Sequence, residues 1–276
     1  MSNQGQGYLL QGGAAELERL RLQARVWEPE AQALLDRIGV PPGATGVDLG
    51  CGAMGILGPL STRVGADGRV VGVDVDDTQL AAARAYVADN GFTNVEIRKA
   101  DAYNTGLASE AFDLVHVRFL FAPVGRDEEL LAEMLRLTKP GGLLVIQEPD
   151  ATPWTCLPAS AAWNQLKTTI LAAFRLGGGD FNAGQRTYKM LRDAGLREVD
   201  LRAAVIALHD AHPYMRLPIQ FATSLRPRIL AARLLTAADL DGAIAECEEI
   251  ASRPDTSVLT FIVTQVWGRK AYRSLH

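Results

Sequence analysis

Short apolar runs alternate with helix-patterned segments between residues 46 and 148. The apolar runs are rich in Val, Ile and Leu and end at Gly, Asp or Pro, which is typical of strands. The segments between them place apolar residues three or four positions apart, as amphipathic helices do. This alternation predicts a parallel sheet with crossover helices. The predicted strands are 46–50, 69–75, 94–100, 112–119 and 142–148, and the predicted helices are 53–64, 77–90 and 126–138.

Two later β-branched runs, 197–209 and 257–268, predict two more strands, and residues 14–25 and 29–38 predict two helices before the sheet. Ligands of such α/β sheets bind at the carboxyl ends of the strands, so a helical insertion that reaches this edge is expected to form a lid. An oligomer interface is the alternative. The expected divisions are an N-terminal helical arm (1–45), a core (46–150), a helical addition (151–196) and the last two strands with a helical insertion at 210–256 (197–276).

Composition narrows the class of protein. Hydrophobic residues make up 48% of the chain, the net charge is −4, and Lys and Arg are not clustered, which argues against a nucleic-acid partner. No apolar stretch reaches the length of a membrane span, and the first residues lack the pattern of a signal peptide. The three cysteines have no paired spacing, so neither a disulfide framework nor a zinc site is expected. We therefore expect a cytoplasmic protein without a membrane partner.

The run VDLGCGAMG follows the first predicted strand and contains Gly50, Gly52 and Gly55. This spacing fits the turn that holds a dinucleotide, and it also fits the glycine turn of S-adenosylmethionine (SAM) enzymes. A dinucleotide would place its pyrophosphate on this turn, where the carboxylate of Asp48 is an unfavourable neighbour. SAM carries an ammonium and a cationic sulfonium instead of phosphate. The turn together with Asp48 therefore favours SAM.

Two further acids end the second and third predicted strands. Asp74 is placed to accept hydrogen bonds from two ribose hydroxyls, a device that NAD enzymes share. Asp101 is placed to accept from an adenine amino group, and the alternative is that it only caps the turn that follows.

Together these segments resemble the class I SAM-dependent methyltransferases. The resemblance is to the branch related to the ubiquinone and menaquinone methyltransferases and to small-molecule enzymes of bacterial secondary metabolism. It implies a Rossmann-like α/β sheet of strand order 3-2-1-4-5-7-6, with SAM laid across the first three strands. The segments that carry it are VDLGCG, VVGVDVD, KADA, FDLVHVRF and LTKPGGLLVIQEPD.

The resemblance also implies a set of SAM contacts. Residues of the first turn would face the methionyl part, the second strand would hold the ribose and carry the adenine, and the third strand would meet the adenine amino edge. Arg118 would close the methionyl side, and the N-terminal arm would fold over it. The residues concerned are Tyr8, Gln23, Asp48, Gly50, Gly52, Met54, Asp74, Val75, Asp101, Ala102 and Arg118.

Four residues are candidate general bases because they lie near the expected carboxyl edge of the sheet. His116 is either catalytic or a packed histidine bonded to backbone, and Glu148 either grips the substrate or braces the lid. His209 and His212 lie close to Tyr214, and the three could supply a base. The same residues match half of a metal site, but no further His or Cys cluster completes it, so we expect no metal.

Aromatic residues are expected to line an acceptor pocket, although each is individually more common in a core. We hypothesise methyl transfer to a small, fairly apolar metabolite, as in natural-product biosynthesis. The alternatives are a quinone-pathway methyltransferase, a nicotinamide-dependent oxidoreductase and a non-catalytic binding protein with a SAM fold. The N-terminal arm or the lid helices could also form a homo-oligomer. The candidate substrate-binding residues are Trp27, Phe119, Trp154 and Tyr214.

Overall fold

A computed structural model describes residues 13–272 of the chain. The strands are β1 (Thr45–Leu49), β2 (Arg69–Asp74), β3 (Val95–Lys99), β4 (Phe112–Arg118), β5 (Thr138–Asp150), β6 (Thr155–Leu157), β7 (Arg197–Ala204), β8 (Ala207–Leu208), β9 (Ser257–Leu259) and β10 (Ile262–Arg269). The helices are α1 (Ala14–Ile38), α2 (Leu57–Val64), α3 (Asp77–Asp89), α4 (Phe121–Val124), α5 (Asp127–Leu137), α6 (Ala161–Leu176), α7 (Gly184–Asp193), α8 (Leu217–Ser224), α9 (Arg226–Ala231) and α10 (Ala237–Ala251). A 3₁₀ helix covers Pro213–Arg216.

Seven strands form the central sheet, in the order β3-β2-β1-β4-β5-β10-β7. The first five are parallel, and β10 runs antiparallel to both β5 and β7. Counted along the chain, these seven strands have the order 3-2-1-4-5-7-6. The predicted Rossmann-like sheet is confirmed.

Successive residues of the central strands pack into different apolar clusters, as the two-residue period of a strand requires. In β4, Leu114 belongs to the cluster beneath α1 and α2, whereas Val115 belongs to the cluster beneath α5 and α7. In β5, Val145 belongs to the cluster beneath α1 and α2, and Leu144 belongs to the cluster beneath α5 and α7. Helices therefore cover both faces of the sheet and leave its carboxyl edge for the loops.

The prediction of two helices before the sheet was wrong, because α1 is one continuous helix of 25 residues with Pro29 inside it. Proline lacks an N–H and usually breaks a helix. Here the turns on both sides are buried, with Trp27 and Leu34 each no more than 1% exposed. Burial of these side chains offsets the lost hydrogen bond, and the helix ends at Gly39 in the left-handed conformation.

Each late strand is interrupted, which differs from the two continuous strands that were predicted. The predicted strand 197–209 divides into β7 and β8, and 257–268 divides into β9 and β10. The outer pieces leave the main sheet and form a three-stranded sheet in the order β6-β9-β8. The two breaks are tied together, because Thr260 N donates to Ile206 O at 3.0 Å and Ile206 N donates to Thr260 Oγ1 at 2.9 Å.

Two predicted boundaries also differ. The helix expected over 53–64 begins only at Leu57, because Gly52 and Gly55 have φ of 54° and 50°, outside the helical range. The strand expected to begin at residue 142 starts at Thr138, where the chain passes directly from α5 into β5.

Helices from both additions pack together in one apolar cluster beyond the carboxyl edge. This cluster joins α6 and α8 to α10 and includes Trp27 of α1 and Phe261 of the loop between β9 and β10. Polar caps start two of these helices, since Ser160 accepts from Trp163 N and Thr236 accepts from Asp239 N. Within residues 13–272, no helix is both long and apolar enough to cross a membrane.

Candidate active site

A cavity of about 710 Å³ lies at the carboxyl ends of β1 to β4, between the sheet and the helices that cover this edge. The glycine turn and the ends of β2 and β3 line one side, and α1 with a group of phenylalanines lines the other. Of the predicted cofactor residues, those in the lining are Gln23, Asp48, Gly50, Gly52, Met54, Asp74, Val75, Asp101, Ala102 and Arg118. Tyr8 lies outside the described residues.

Asp48 is buried at the end of β1, and its carboxylate holds the glycine turn in place. Its Oδ2 accepts from Ile56 N at 3.0 Å, and its Oδ1 lies 2.7 Å from His116 Nδ1. A Cβ at Gly55 would collide with this carboxylate, so only glycine fits at that position. The turn therefore places a buried carboxylate beside backbone that a ligand can approach closely.

Asp74 ties the end of β2 to the same turn. Its Oδ2 accepts from Gly52 N at 2.9 Å, and its Oδ1 accepts from Asp76 N at 3.0 Å. Burial raises the pKa of this carboxyl, against the effect of the N–H donors. A carboxylate fixed in this way at the cavity wall can accept hydrogen bonds from a pair of hydroxyls.

Next to Asp74, the wall of the cavity combines an apolar surface with a polar edge. Val75 is 58% exposed, which is unusual for valine, and it lines the cavity together with Ala102. Asp101 also lines the cavity, and its Oδ1 accepts from Tyr103 N at 3.0 Å. Both interpretations of Asp101 are therefore compatible with its position, since one oxygen caps the turn beside the cavity.

Three buried polar atoms of the cavity lining have no hydrogen-bond partner within the described chain: Arg118 Nη1, Gln79 Oε1 and Tyr103 Oη. Arg118 Nη2 donates to Gly55 O at 2.8 Å, which turns the guanidinium towards the glycine turn. Burial lowers the pKa of Arg118. Unpaired buried polar atoms are costly, so these three mark positions where a polar ligand would bind. A carboxylate of the ligand beside Arg118 fits this arrangement.

His116 does not belong to the cavity lining and is fully buried in β4. Both ring nitrogens are bonded, because Nδ1 faces Asp48 and Nε2 lies 2.8 Å from Gln147 Nε2. A histidine with both nitrogens engaged by side chains has no lone pair to offer a substrate. His116 therefore contacts Asp48, which lines the cavity, but does not itself reach the cavity.

Glu148 is fully buried at the end of β5 and also lies outside the lining. Its carboxylate accepts from Leu120 N, Phe121 N and Ala122 N at 2.7 to 3.0 Å. Burial raises its pKa to about 7, against the effect of the three N–H donors. Glu148 thus fixes the start of α4, which carries Leu120 and Ala122 of the cavity wall.

The third group of candidate bases is not brought to the cavity. His209 is exposed and paired with Asp210, and His212 Nδ1 accepts from Tyr214 N at 3.1 Å. Tyr214 is buried, and its hydroxyl accepts from Trp27 Nε1 at 3.0 Å. Among the described residues, no group of three or more His, Cys, Asp or Glu side chains could hold a metal ion.

Aromatic residues are split between the core and the cavity. Trp27 and Trp154 are buried core residues outside the lining, whereas Phe119 lines the cavity. Four phenylalanines that the sequence did not single out as site residues complete this wall: Phe174, Phe181, Phe221 and Phe261. Their pairs meet edge to face at centroid distances of 5.3 to 5.9 Å. They come from α6, α8 and two loops, so no sequence period connects them.

The N-terminal helix adds a buried ion pair that sequence reasoning also missed. Arg19 and Glu16 form two hydrogen bonds at 2.6 and 2.8 Å, and Arg19 Nη1 donates to Gln23 Oε1 at 2.8 Å. The guanidinium lies 4.9 Å from the centre of the Phe221 ring. Spacings of three and four residues on α1 are the signal that could have found this group.

Comparison with known proteins identifies the family. The model of the methyltransferase domain family matches residues 42–195, which is more than half of the chain. The chain is 30% identical to the ubiquinone/menaquinone biosynthesis C-methyltransferase of Enterobacter sp. (strain 638) over 69% of this chain and 81% of that enzyme. It is 29% identical to nocamycin O-methyltransferase of Saccharothrix syringae over 63% of this chain and 66% of that enzyme.

A solved structure supports the same fold. The SAM-dependent methyltransferase of Aquifex aeolicus superposes with a TM-score of 0.54 at 23% identity, over 70% of this chain and 93% of that one. The chain belongs to the class I SAM-dependent methyltransferases, in the part of the family related to the quinone-pathway enzymes. Its cofactor is SAM, and its substrate class is small molecules.

Proposed function

We propose that SAM binds along the glycine turn, with its methionyl carboxylate at Arg118, its ribose at Asp74 and its adenine on Val75. The buried atoms Arg118 Nη1 and Gln79 Oε1 support this placement, because both lack a partner in the described chain. Asp48 supplies the negative charge for the cationic end of SAM. Asp101 and Ala102 lie at the amino edge of the adenine.

The acceptor is a small, fairly apolar metabolite that lies against the phenylalanine wall. The observation that carries this proposal is the edge-to-face group of Phe174, Phe181, Phe221 and Phe261 opposite the glycine turn. The polar corner at Glu16 and Arg19 suits an acceptor with few oxygen atoms on an apolar body. Phe119 has φ of 59°, a rare conformation for a bulky residue, and it joins this wall to the SAM side.

When bound, SAM supplies a methyl group on a sulfonium, already activated for transfer. The task of the chain is to hold the acceptor atom in line with that methyl group, a proximity effect of several kcal/mol. Arg118 and Asp74 fix the cofactor end, and the phenylalanine wall fixes the acceptor and excludes water. Glu148 contributes by holding residues 119–122, where α4 begins, between the two.

Residues 210–256 act as a lid that selects the acceptor. Phe221 from this segment lines the cavity, and Tyr214 bonds to Trp27 of α1. Both contacts lie on the inner side of the segment, towards the site.

Natural-product biosynthesis is the proposed pathway, supported by the similarity to nocamycin O-methyltransferase. The quinone pathway is the second candidate, supported by the similarity to the ubiquinone/menaquinone C-methyltransferase. The experiment follows transfer of labelled methyl from SAM to two panels, small apolar metabolites with a free hydroxyl group and demethylated quinones. Turnover of the first panel alone supports natural-product biosynthesis, and turnover of quinones alone replaces it with the quinone pathway. A chain that binds NAD and not SAM in calorimetry would contradict both.

A further inference from the structure

Six polar side chains form an unbroken row across the face of the sheet that α1 covers. His116 lies between Asp48 at 2.7 Å and Gln147 at 2.8 Å, and Gln265 Nε2 donates to Gln147 Oε1 at 2.8 Å. Arg202 Nη1 donates to Gln265 Oε1 at 2.8 Å, and Arg202 pairs with Glu30 of α1. Asp48, His116, Gln147 and Gln265 are no more than 2% exposed. Such a row in a Val- and Leu-rich sheet requires an explanation beyond packing.

Strand register places these residues side by side. Asp48 is opposite His116, and Gln265 is opposite both Gln147 and Arg202. The remaining step is diagonal, because His116 faces Val145, two residues before Gln147 on the same face of β5. The row thus contains one residue from each of the five strands β1, β4, β5, β10 and β7.

Hydrogen-bond polarity along the row has only one consistent direction. Arg202 can only donate, so it requires the oxygen of the Gln265 amide. The backbone carbonyl of Glu30 can only accept, and it takes the other side of that amide at 3.1 Å. Gln265 therefore donates to Gln147 Oε1, and Gln147 donates to His116 Nε2. The proton of His116 is left on Nδ1, where it is donated to Asp48.

The far end of the row controls the glycine turn. Asp48 Oδ1 accepts the proton of His116, which leaves Oδ2 aimed at Ile56 N and packed against Gly55. We infer that Gln147, Gln265 and Arg202 are positioning residues of the cofactor site, which act through His116 and Asp48. They keep His116 neutral in the Nδ1–H form and Asp48 a full negative charge beside the SAM cation. This inference rests on the proposed placement of SAM at Asp48.

The test reverses the polarity of the row with an almost isosteric change. In Gln265→Glu the new carboxylate can only accept, so the Gln147 amide must turn and present its oxygen to His116 Nε2. His116 must then carry a proton on Nε2 as well, and the resulting positive charge offsets Asp48. Nitrogen-15 NMR of the labelled histidine ring reads the protonation of each nitrogen, and calorimetry reads SAM affinity. Gln32→Glu, an exposed change on α1, is the matched control.

The expected result is an Nδ1–H ring in the unaltered enzyme and a ring protonated on Nε2 in Gln265→Glu, with SAM affinity reduced about fivefold or more. Gln147→Met breaks the row, so adding Gln265→Glu in that background should leave the His116 ring unchanged. Gln32→Glu should change neither quantity.

Two results would overturn the inference. One is an unchanged His116 ring in Gln265→Glu, and the other is an altered ring with unaltered SAM affinity. If the unaltered enzyme binds no SAM, the proposed function fails, while the ring measurement still decides the polarity of the row. Circular dichroism of each variant confirms that the fold is retained.

Discussion

Trp27 Nε1 donates a hydrogen bond to the buried hydroxyl of Tyr214 at 3.0 Å, which joins the N-terminal helix to the insertion after β8. The two residues are 187 positions apart in the chain. Gln23, which lines the cavity, lies 3.5 Å from the same hydroxyl. This contact connects the proposed lid, residues 210–256, to the N-terminal helix.

Tyr214→Phe should destabilise the enzyme and weaken the lid. It leaves Trp27 Nε1 buried without an acceptor, at a cost of about 1–3 kcal/mol in the free energy of unfolding. Turnover should fall, while the mass of the protein in solution, which reports its oligomeric state, stays constant. Urea unfolding, sedimentation and methyl-transfer assays measure these effects, with Tyr188→Phe on the surface of α7 as control. A changed mass in solution with normal turnover would show that the insertion forms an oligomer interface instead.

The aromatic wall should affect the acceptor and not the cofactor. Phe221→Leu shortens a side chain that meets Phe174 at 5.9 Å and Phe181 at 5.7 Å. We expect KM for the acceptor to rise about tenfold while SAM affinity stays within about twofold, because uniform binding of the acceptor is lost. Phe92→Leu, beside Tyr86 and outside the cavity lining, is the control. Weaker SAM binding with an unchanged KM would contradict this division of the cavity.

Glu148 should make stability depend on pH. Burial raises its pKa from 4.5 to about 7, so between these values the folded protein binds more protons than the unfolded chain. The contribution of Glu148 to the free energy of unfolding therefore decreases as pH rises from about 4.5 to about 7, by up to about 3 kcal/mol. Urea unfolding of the enzyme and Glu148→Gln at pH 5 and pH 8 measures it. If the free energy of unfolding depends on pH equally in both proteins, Glu148 is not the source of this pH dependence.

The parallel core was predictable from sequence because each strand and helix has its own local signal. The glycine turn, Asp48, Asp74 and Asp101 could also be predicted from sequence, since the carboxyl ends of parallel strands share one edge of a sheet. The phenylalanine wall was not, because Phe174 and Phe261 meet only through the packing of distant helices and loops.

The role of His116 was not predictable from sequence either. Its partners Asp48 and Gln147, and Gln265 beyond them, come from separate strands, and only the register brings them into one row. His116 was a candidate base because it lies near the end of a predicted strand. Side chains of a strand alternate between the two faces of the sheet, however, and the face that His116 takes turns it towards Asp48 and Gln147. The same applies to Glu148, whose three N–H donors belong to the start of α4, after the neighbouring strand.

Asp74→Ala tests the ribose contact. The change removes a carboxylate that could accept two hydrogen bonds, each worth roughly 1.5–3 kcal/mol when charge-assisted. SAM affinity should fall about tenfold or more. Because Asp74 also accepts from Gly52 N and Asp76 N, Asp74→Asn serves as a milder variant that keeps one acceptor oxygen. Calorimetry with SAM measures both variants, and unchanged affinity in Asp74→Ala would show that β2 does not hold the ribose.

Binding of SAM at the glycine turn is the central claim, and calorimetry of Gly52→Val beside Gly91→Val tests it most directly. Both glycines have positive φ, 54° and 67°, so both changes introduce similar backbone strain. Gly52 lines the cavity, whereas Gly91 follows α3, is absent from the lining, and has open space around it. We predict that Gly52→Val abolishes SAM binding while Gly91→Val, folded and equally strained, binds SAM with nearly unaltered affinity. Normal SAM binding by Gly52→Val would contradict the claim.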